Sequence, residues 1–293
     1  MNRVIRKKTT GAGSPIAITL ALVTDCAGTD EGRYLLAIGR AFFPQTPTVA
    51  FFPTASMQPL HSGFIAAAHA LSTIDLFGQL RPRERVGVLV NAAPRHGQEN
   101  GHHLRGAQRK KSGEEVYALE LKNGLWIVGP NAGMNFYFLP RNQIAHSYIL
   151  GGPRLKTPFR SMELMVPALA QALGANNFKD ISFTPKRLTI PEPEPGVFVG
   201  DWDSHGNIYI FSTLPDKEWL PALGKRITVN INGRVARLRH VNGIFAGRTG
   251  EVTLTVGSLK LNDSNVHYIV VVGGDAHGLF GRPPVGARVV IED

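Results

Sequence analysis

A chain of 293 residues with 43% hydrophobic content carries enough apolar material for one large domain or two smaller ones. Its 32 basic and 22 acidic residues leave a formal charge of +10, which favours anionic partners, and its one cysteine, Cys26, excludes an intrachain disulfide and a cysteine-rich metal site. No apolar run long enough for a signal peptide or a membrane span follows the basic N-terminus, so the sequence reads as a soluble, cytoplasmic protein.

Residues 1–15 read as a mobile basic tail. Ile18 to Thr24 is an aliphatic and β-branched run, as a strand covered on both faces requires. It stops at the acidic loop Asp25-Cys26-Ala27-Gly28-Thr29-Asp30. Tyr34 to Phe43 is apolar nearly all round and predicts a buried helix. In an open α/β sheet the ligand crevice lies beyond the carboxyl ends of the strands, which places Asp25 and Asp30 at its edge. A carboxylate there commonly accepts two ribose hydroxyls. A plainer role is equally open at this point: Asp25 and Thr29 capping the following helix.

Thr48 to Phe52 predicts a second strand, ending at Pro53, and Gly63 to Leu71 a helix rich in Ala and Leu. Val86 to Val90 predicts a third buried strand that runs into the loop Asn91 to Gly97. Gln98 to Gly113 is polar, bears His102 and His103, and reads as an exposed loop. Two more strands follow, Val116 to Leu121 and Leu125 to Val128, the second ending at the turn Gly129-Pro130-Asn131-Ala132-Gly133. Met162 to Leu173 predicts a helix in which Pro167 either makes a kink or marks the true first turn. The sense strand, loop, helix, strand implies an α/β N-terminal domain with a mostly parallel sheet over residues 16–184.

Residues 185–196 hold Pro191, Pro193 and Pro195 at alternate positions and read as a stiff linker. Beyond it the strand signals are short and Asn232-Gly233 is a hairpin signal, so residues 197–293 predict an all-β C-terminal domain, a barrel or a sandwich. There is no glycine-rich phosphate loop, no Gly-x-Ser-x-Gly elbow and no histidine spacing suited to a metal. Asp25 raises the pKa of the adjacent Cys26 thiol, which leaves that residue a packing role. Asp201 to Asn207 reads as a turn, being rich in Asp, Ser, Gly and Asn.

The order of these loops resembles that of the S-adenosylmethionine hydroxide adenosyltransferases and the related fluorinases and chlorinases. Those enzymes open on a strand ending in Thr-Asp-x-Gly with a second Asp; this chain has Thr24-Asp25-Cys26-Ala27-Gly28-Thr29-Asp30, one residue longer. The Pro-and-Gly loop is matched by Ala93 to Gly97, and the Gly-Pro-Asn-Asn-Gly turn by Gly129 to Gly133. The Thr-Phe-x-Ser/Gly segment with its later Pro is matched by Thr157 to Pro167, and the Phe-Gly-Asn turn by His205-Gly206-Asn207 behind Asp203. The resemblance implies that Asp25 binds ribose hydroxyls and that Asp203, with Asn207 nearby, holds a methionine amino group. It also places Phe159 and Ser161 against the substrate, serine being the halide-binding type of the fluorinases. It implies a homotrimer that takes S-adenosylmethionine as substrate or ligand and needs no cofactor and no metal.

The departures from the family are specific. Where the hydrolases set an Asp, an Arg and a His around the attacking water, this chain has Ala93, Asn100 and Arg160. Where the family has Asn-Ser-x-Gly near the C-terminus, Val270 to Asp275 is shortened and lacks the serine. Ser161, Arg160 and His96 are the candidates left to assist a nucleophile. Two readings follow. One is an enzyme that displaces methionine from the ribose C5′ by water or another small nucleophile. The alternative is a catalytically degenerate relative that serves as a ligand-sensing or protein-interaction scaffold. Nucleic acid ranks lowest, because the basic runs Arg3 to Lys8, Arg81 to Arg85 and Arg105 to Lys111 do not interleave with aromatics.

Overall fold

The computed structural model describes residues 16–26, 28, 30–54, 58–71, 84–92, 115–131, 134–139, 141–152, 160–189, 194–261 and 264–292. The first strand, β1 (Ala17–Thr24), is buried from Leu20 to Thr24. It pairs in parallel with β2 (Thr48–Pro53) on one side and β3 (Glu84–Asn91) on the other, and β3 pairs in parallel with β5 (Trp126–Pro130). Beyond β5 the pairing turns antiparallel: β4 (Val116–Leu121) joins β5 to β6 (Ile144–Gly151), and β7 (Ser182–Pro185) closes the edge. The sheet order is β2-β1-β3-β5-β4-β6-β7.

The expected mostly parallel sheet is therefore mixed, and the reason is local. β4 and β5 are joined by the tight turn Lys122-Asn123-Gly124, and a turn that short permits only antiparallel neighbours. Ile144 to Gly151 and Ser182 to Pro185, which extend this half of the sheet, show no clean apolar alternation: His146 and Ser147 interrupt the first, and the second is four residues long.

Helices cover both faces. α1 (Glu31–Phe42) packs with the helix that begins as a π-turn at Ser161–Met165 and continues as α3 (Val166–Ala172). Pro167 lies in the first turn of α3, where its missing N–H and fixed φ fit, and so marks a start. On the other face α2 (Pro59–Phe64) runs into a π-helical stretch, Ile65–Leu71, whose Ile65 and Ala66 pack on Val23, Val88 and Ile127. α1 is less buried than its composition suggests. Only Tyr34, Ile38, Ala41 and Phe42 turn inward, while Leu35 and Leu36 face solvent, because one sheet face receives a single stripe of a helix.

The C-terminal half is a closed barrel, ordered β10-β11-β12-β13-β9-β8-β14, with β14 returning to β10. Its strands are β8 (Val197–Trp202), β9 (Ile208–Ser212), β10 (Arg226–Ile231), β11 (Arg234–Val241), β12 (Val252–Leu261), β13 (Ser264–Val271) and β14 (Arg288–Glu292). Asn232 and Gly233 both adopt positive φ between β10 and β11, as a two-residue hairpin with the right strand twist requires. Val199, Ile210, Val229, Leu238, Leu254 and Ile269 fill the interior. Two short helices, α4 (Asp216–Trp219) and α5 (Ala276–Leu279), lie against it.

The two halves share an apolar seam. Phe64, Ala67, Ala68 and Phe138 of the α/β half pack on Phe198, Phe211, Leu261, Tyr268 and Val270 of the barrel. Burial of each such aromatic is worth about 1.5–3 kcal/mol; across the seam Phe138 meets Phe211 edge-on, 4.6 Å apart at 87°, and Phe64 meets it tilted at 37°. Gly200 is required here: a Cβ on it would lie 2.4 Å from the Phe64 ring.

Candidate functional site

The chain leaves β1 toward β2 on one side and later enters β3 on the other, so the order of strands reverses between β1 and β3. Open α/β sheets bind ligands at this kind of switch point. Asp25 stands there, its N–H donating to the Asn91 carbonyl across the gap at 3.3 Å. The Cys26 N–H donates to the Thr24 hydroxyl at 3.1 Å, folding the loop back over the strand end. Beneath it the fully buried Tyr34 gathers the polar groups of three elements. Asn91 Nδ2 donates to its phenol oxygen at 2.7 Å, and the hydroxyls of Thr24 and Ser161 bond the same group. Burial pushes the Tyr34 phenol up to about 12, so it stays a neutral hydrogen-bonding hub.

The neighbouring thiol is inert by the same physics. Burial first, and the Asp25 charge second, push Cys26 up to about 11. Its Sγ lies 3.4 Å from Asp25 Oδ1. Asp30 sits at the start of α1 and pairs with Arg33 at 3.2 Å on the surface; its side chain does not cap the helix. Ser161 is 8% exposed at the head of its π-turn and touches this cluster through Tyr34, while Arg160 begins the same helix. Phe159, His96, Ala93, Asn100 and the His102-His103 pair lie outside the described residues.

One residue of this edge was not singled out from the sequence. Asn135 is 1% exposed, and its Nδ2 donates to the carbonyls of Ala92 at 2.7 Å and Pro130 at 3.0 Å, tying the ends of β3 and β5 together. Its Oδ1 is buried without a hydrogen-bond partner among the described residues. Its place just after the Gly129 to Gly133 turn was the available signal.

Asp203 is engaged by its own turn. Oδ1 accepts from the backbone of His205 at 2.9 Å and Asn207 at 3.0 Å; Oδ2 accepts from Asn207 Nδ2 at 2.8 Å and the Tyr209 hydroxyl at 3.3 Å. Burial, then the Asp203 charge, raise the Tyr209 pKa, keeping that hydroxyl a donor. The turn needs Gly206, whose φ is +77° and where a Cβ would lie 2.1 Å from Asp275 Oδ1.

A second polar cluster joins the halves of the molecule. His61 Nε2 and Asp201 Oδ1 lie 2.8 Å apart, both side chains buried. Trp202 stacks on His277, with ring centroids 4.3 Å apart at 11°, and more distantly on His61 at 5.9 Å. No spacing in the sequence could announce a pair 140 residues apart.

A concavity of about 420 Å3 runs between α1 and the Ser161 helix, lined by Arg33, Leu36, Arg40, Met162 and Phe178; Thr24, Asp25, Tyr34, Asn91 and Ser161 do not line it. Among the described residues no group of three or more His, Cys, Asp or Glu side chains is placed to hold a metal ion, and no helix is long and apolar enough to cross a membrane.

No protein-family model and no curated protein matches the chain. Solved structures do. A protein from Thermotoga maritima described as an uncharacterized conserved protein superposes with a TM-score of 0.66 at 13% identity, over 94% of this chain and 100% of that one. A conserved hypothetical protein from Thermus thermophilus superposes with a TM-score of 0.57 at 15% identity, over 93% of this chain and 99% of its own. At such identities the likeness shows a shared fold across both halves.

Proposed function

We propose that this chain is an S-adenosylmethionine-cleaving, adenosyltransferase-like protein, acting at the ribose C5′ with water or another small nucleophile to give adenosine, or a 5′-substituted adenosine, and methionine. The observation that carries the reading is Asp25 at the switch point, held over the Thr24, Tyr34, Asn91 and Ser161 network. Displacement at a sulfonium carbon expels a neutral thioether, so the site needs no acid for the leaving group. It needs alignment of nucleophile, carbon and sulfur, and removal of water from the nucleophile. A rigid carboxylate suits a ribose diol, and Ser161 offers a hydroxyl within the same network.

The same reading assigns Asp203 and Asn207 to the methionine amino group, Phe159 to the substrate wall, and Arg160 or His96 to the nucleophile. It takes the molecule as a cytoplasmic homotrimer in which the first domain of one subunit faces the second of its neighbour, a head-to-tail contact that closes on itself. One observation favours the alternative of a non-catalytic, ligand-sensing relative. Asp203 already accepts four hydrogen bonds within its own turn, so a ligand ammonium would have to compete for a lone pair.

Calorimetric titration with S-adenosylmethionine, chromatography of adenosine and methionine after incubation, and light scattering test the reading together. Binding with turnover by a trimer is the expected result. Binding without turnover, restored by Ala93→Asp with Arg160→His, would assign the protein to the non-catalytic class with an intact pocket. Absence of binding in both proteins sinks the S-adenosylmethionine reading.

A further inference from the structure

The barrel carries a cationic face built from β10, β11 and the turn that follows them. β11 turns Ala236, Leu238 and His240 inward, which sends Arg237 and Arg239 outward. β10 alternates in step and sends Arg226 and Thr228 outward. In the ladder Arg226 lies directly opposite Arg239, and Thr228 opposite Arg237. Like charges directly opposed on one sheet face are unfavourable, and only partly relieved here. Glu251 takes a bidentate bond from Arg239 at 2.7 and 2.8 Å and stands 3.9 Å from Arg226. Arg248 adds a further exposed guanidinium in the turn before Glu251, and Glu292, opposite Thr228 on the other side, is a second carboxylate of the face.

Against this cluster stands Phe245, 93% exposed. Its short helical turn, Ile244–Ala246, follows β11 directly, and Arg239 Nη2 reaches the Ala246 carbonyl at 3.4 Å. A lone exposed aromatic is ordinary on a protein surface. An exposed aromatic on a turn that Arg239 contacts, next to an arginine-bearing sheet face, supplies the two parts that grip single strands: cations for phosphates and a π-face for a base.

We infer that the β10–β11 face of the barrel, with Arg226, Arg237, Arg248 and Phe245, binds single-stranded nucleic acid. A single strand carries a phosphate for the arginines and a base for the ring in every nucleotide, which favours it over an acidic protein surface. The inference is independent of the proposed S-adenosylmethionine site.

Fluorescence anisotropy of a labelled oligouridylate of about a dozen nucleotides tests it, with the full chain, from about 50 to about 200 mM salt. Phe245→Ala is expected to weaken binding about 5- to 150-fold with the salt slope unchanged, and Phe245→Tyr to retain it. Arg237→Ala is expected to lower the slope of log affinity against log salt by about 0.7. The basic runs elsewhere in the chain are common to every variant and cancel in the comparison. The side chains are exposed, so each variant should melt with wild type. If Phe245→Ala and Arg237→Ala both bind like wild type, or if polyglutamate displaces the oligonucleotide as well as unlabelled oligouridylate does, the inference is overturned.

Discussion

At the scale of single residues, the switch-point loop separates two carboxylates that the sequence presents alike. Both are half-buried, but the backbone N–H of Asp25 bonds Asn91 at the strand end, whereas the Asp30 carboxylate pairs with the exposed Arg33. If Asp25 holds a ligand hydroxyl pair, Asp25→Ala leaves those groups unpaired and weakens S-adenosylmethionine binding by about 1–3 kcal/mol, roughly 5- to 150-fold. Asp30→Ala loses an exposed ion pair and should change neither binding nor stability by more than about 1 kcal/mol. Calorimetry on both variants checks the contrast, and equal losses would remove the distinction. Cys26 offers a chemical test of the same loop. With its thiol pushed up to about 11 from an ordinary 9.0, its thiolate fraction at pH 8 falls about 100-fold below that of an ordinary cysteine. Iodoacetamide should therefore modify the folded protein about 100-fold more slowly than the urea-unfolded chain. Equal rates would mean the loop does not shield the thiol.

At the scale of elements, β13 is the strand with two duties. It turns Ile269 and Val271 into the barrel and Val266, Tyr268 and Val270 onto the α/β half. His267 faces inward too, 1% exposed, edge-on to Trp219 at 4.9 Å, with neither ring nitrogen in a well-aligned hydrogen bond among the described residues. Burial lowers its pKa, His240 lowers it further, and Asp216 opposes the shift in part. The unfolded chain therefore binds a proton that the folded barrel refuses. The stabilisation is complete above the ordinary histidine value of about 6.5 and is lost as pH falls from there toward the depressed folded value. The melting temperature should drop as pH falls below about 6.5, and His267→Leu, which fills the site without titrating, should flatten that slope. An unchanged slope in the variant would place the acid sensitivity elsewhere. Among the helices, the Ala- and Leu-rich composition of Gly63 to Leu71 correctly signalled helix. It could not signal that the stretch winds as a π-helix after α2, a matter of how the chain fits against Val23 and Val88.

At the scale of the whole molecule, the two halves unfold together only as far as their seam holds. Its apolar part is the phenylalanine cluster; its polar part is His61 on Asp201. His61→Ala leaves a buried carboxylate short of a partner and should cost about 1.5–3 kcal/mol, all of it at the interface. Trp126 reports on the sheet, Trp202 on the seam and Trp219 on the barrel. Denaturant transitions followed by fluorescence and by circular dichroism should coincide in wild type and separate in the variant. Coincident transitions in both, at one midpoint, would show that the pair does not couple the halves.

What the sequence determined by itself is the set of strands with strong local signals and the change of architecture between the halves. Ile18 to Thr24, Val86 to Val90 and the Asn232-Gly233 hairpin are legible because a buried strand must be apolar and a tight hairpin must accept positive φ. The position of Asp25 was legible for a related reason: it follows directly where the buried run of β1 stops, which is the switch-point end of the strand. The tertiary structure decided everything that depends on which segments meet. β6 and β7 carry weak patterns and become strands because β4 offers β6 an edge and β6 offers one to β7, which with the β4–β5 turn made an expected mostly parallel sheet a mixed one. Asn135 and the His61–Asp201 pair are invisible to spacing, since their partners come from other elements or from across the fold. Phe245 is an ordinary loop residue in the sequence, and only the fold shows it 93% exposed, because exposure is set by what the rest of the chain packs against and not by composition.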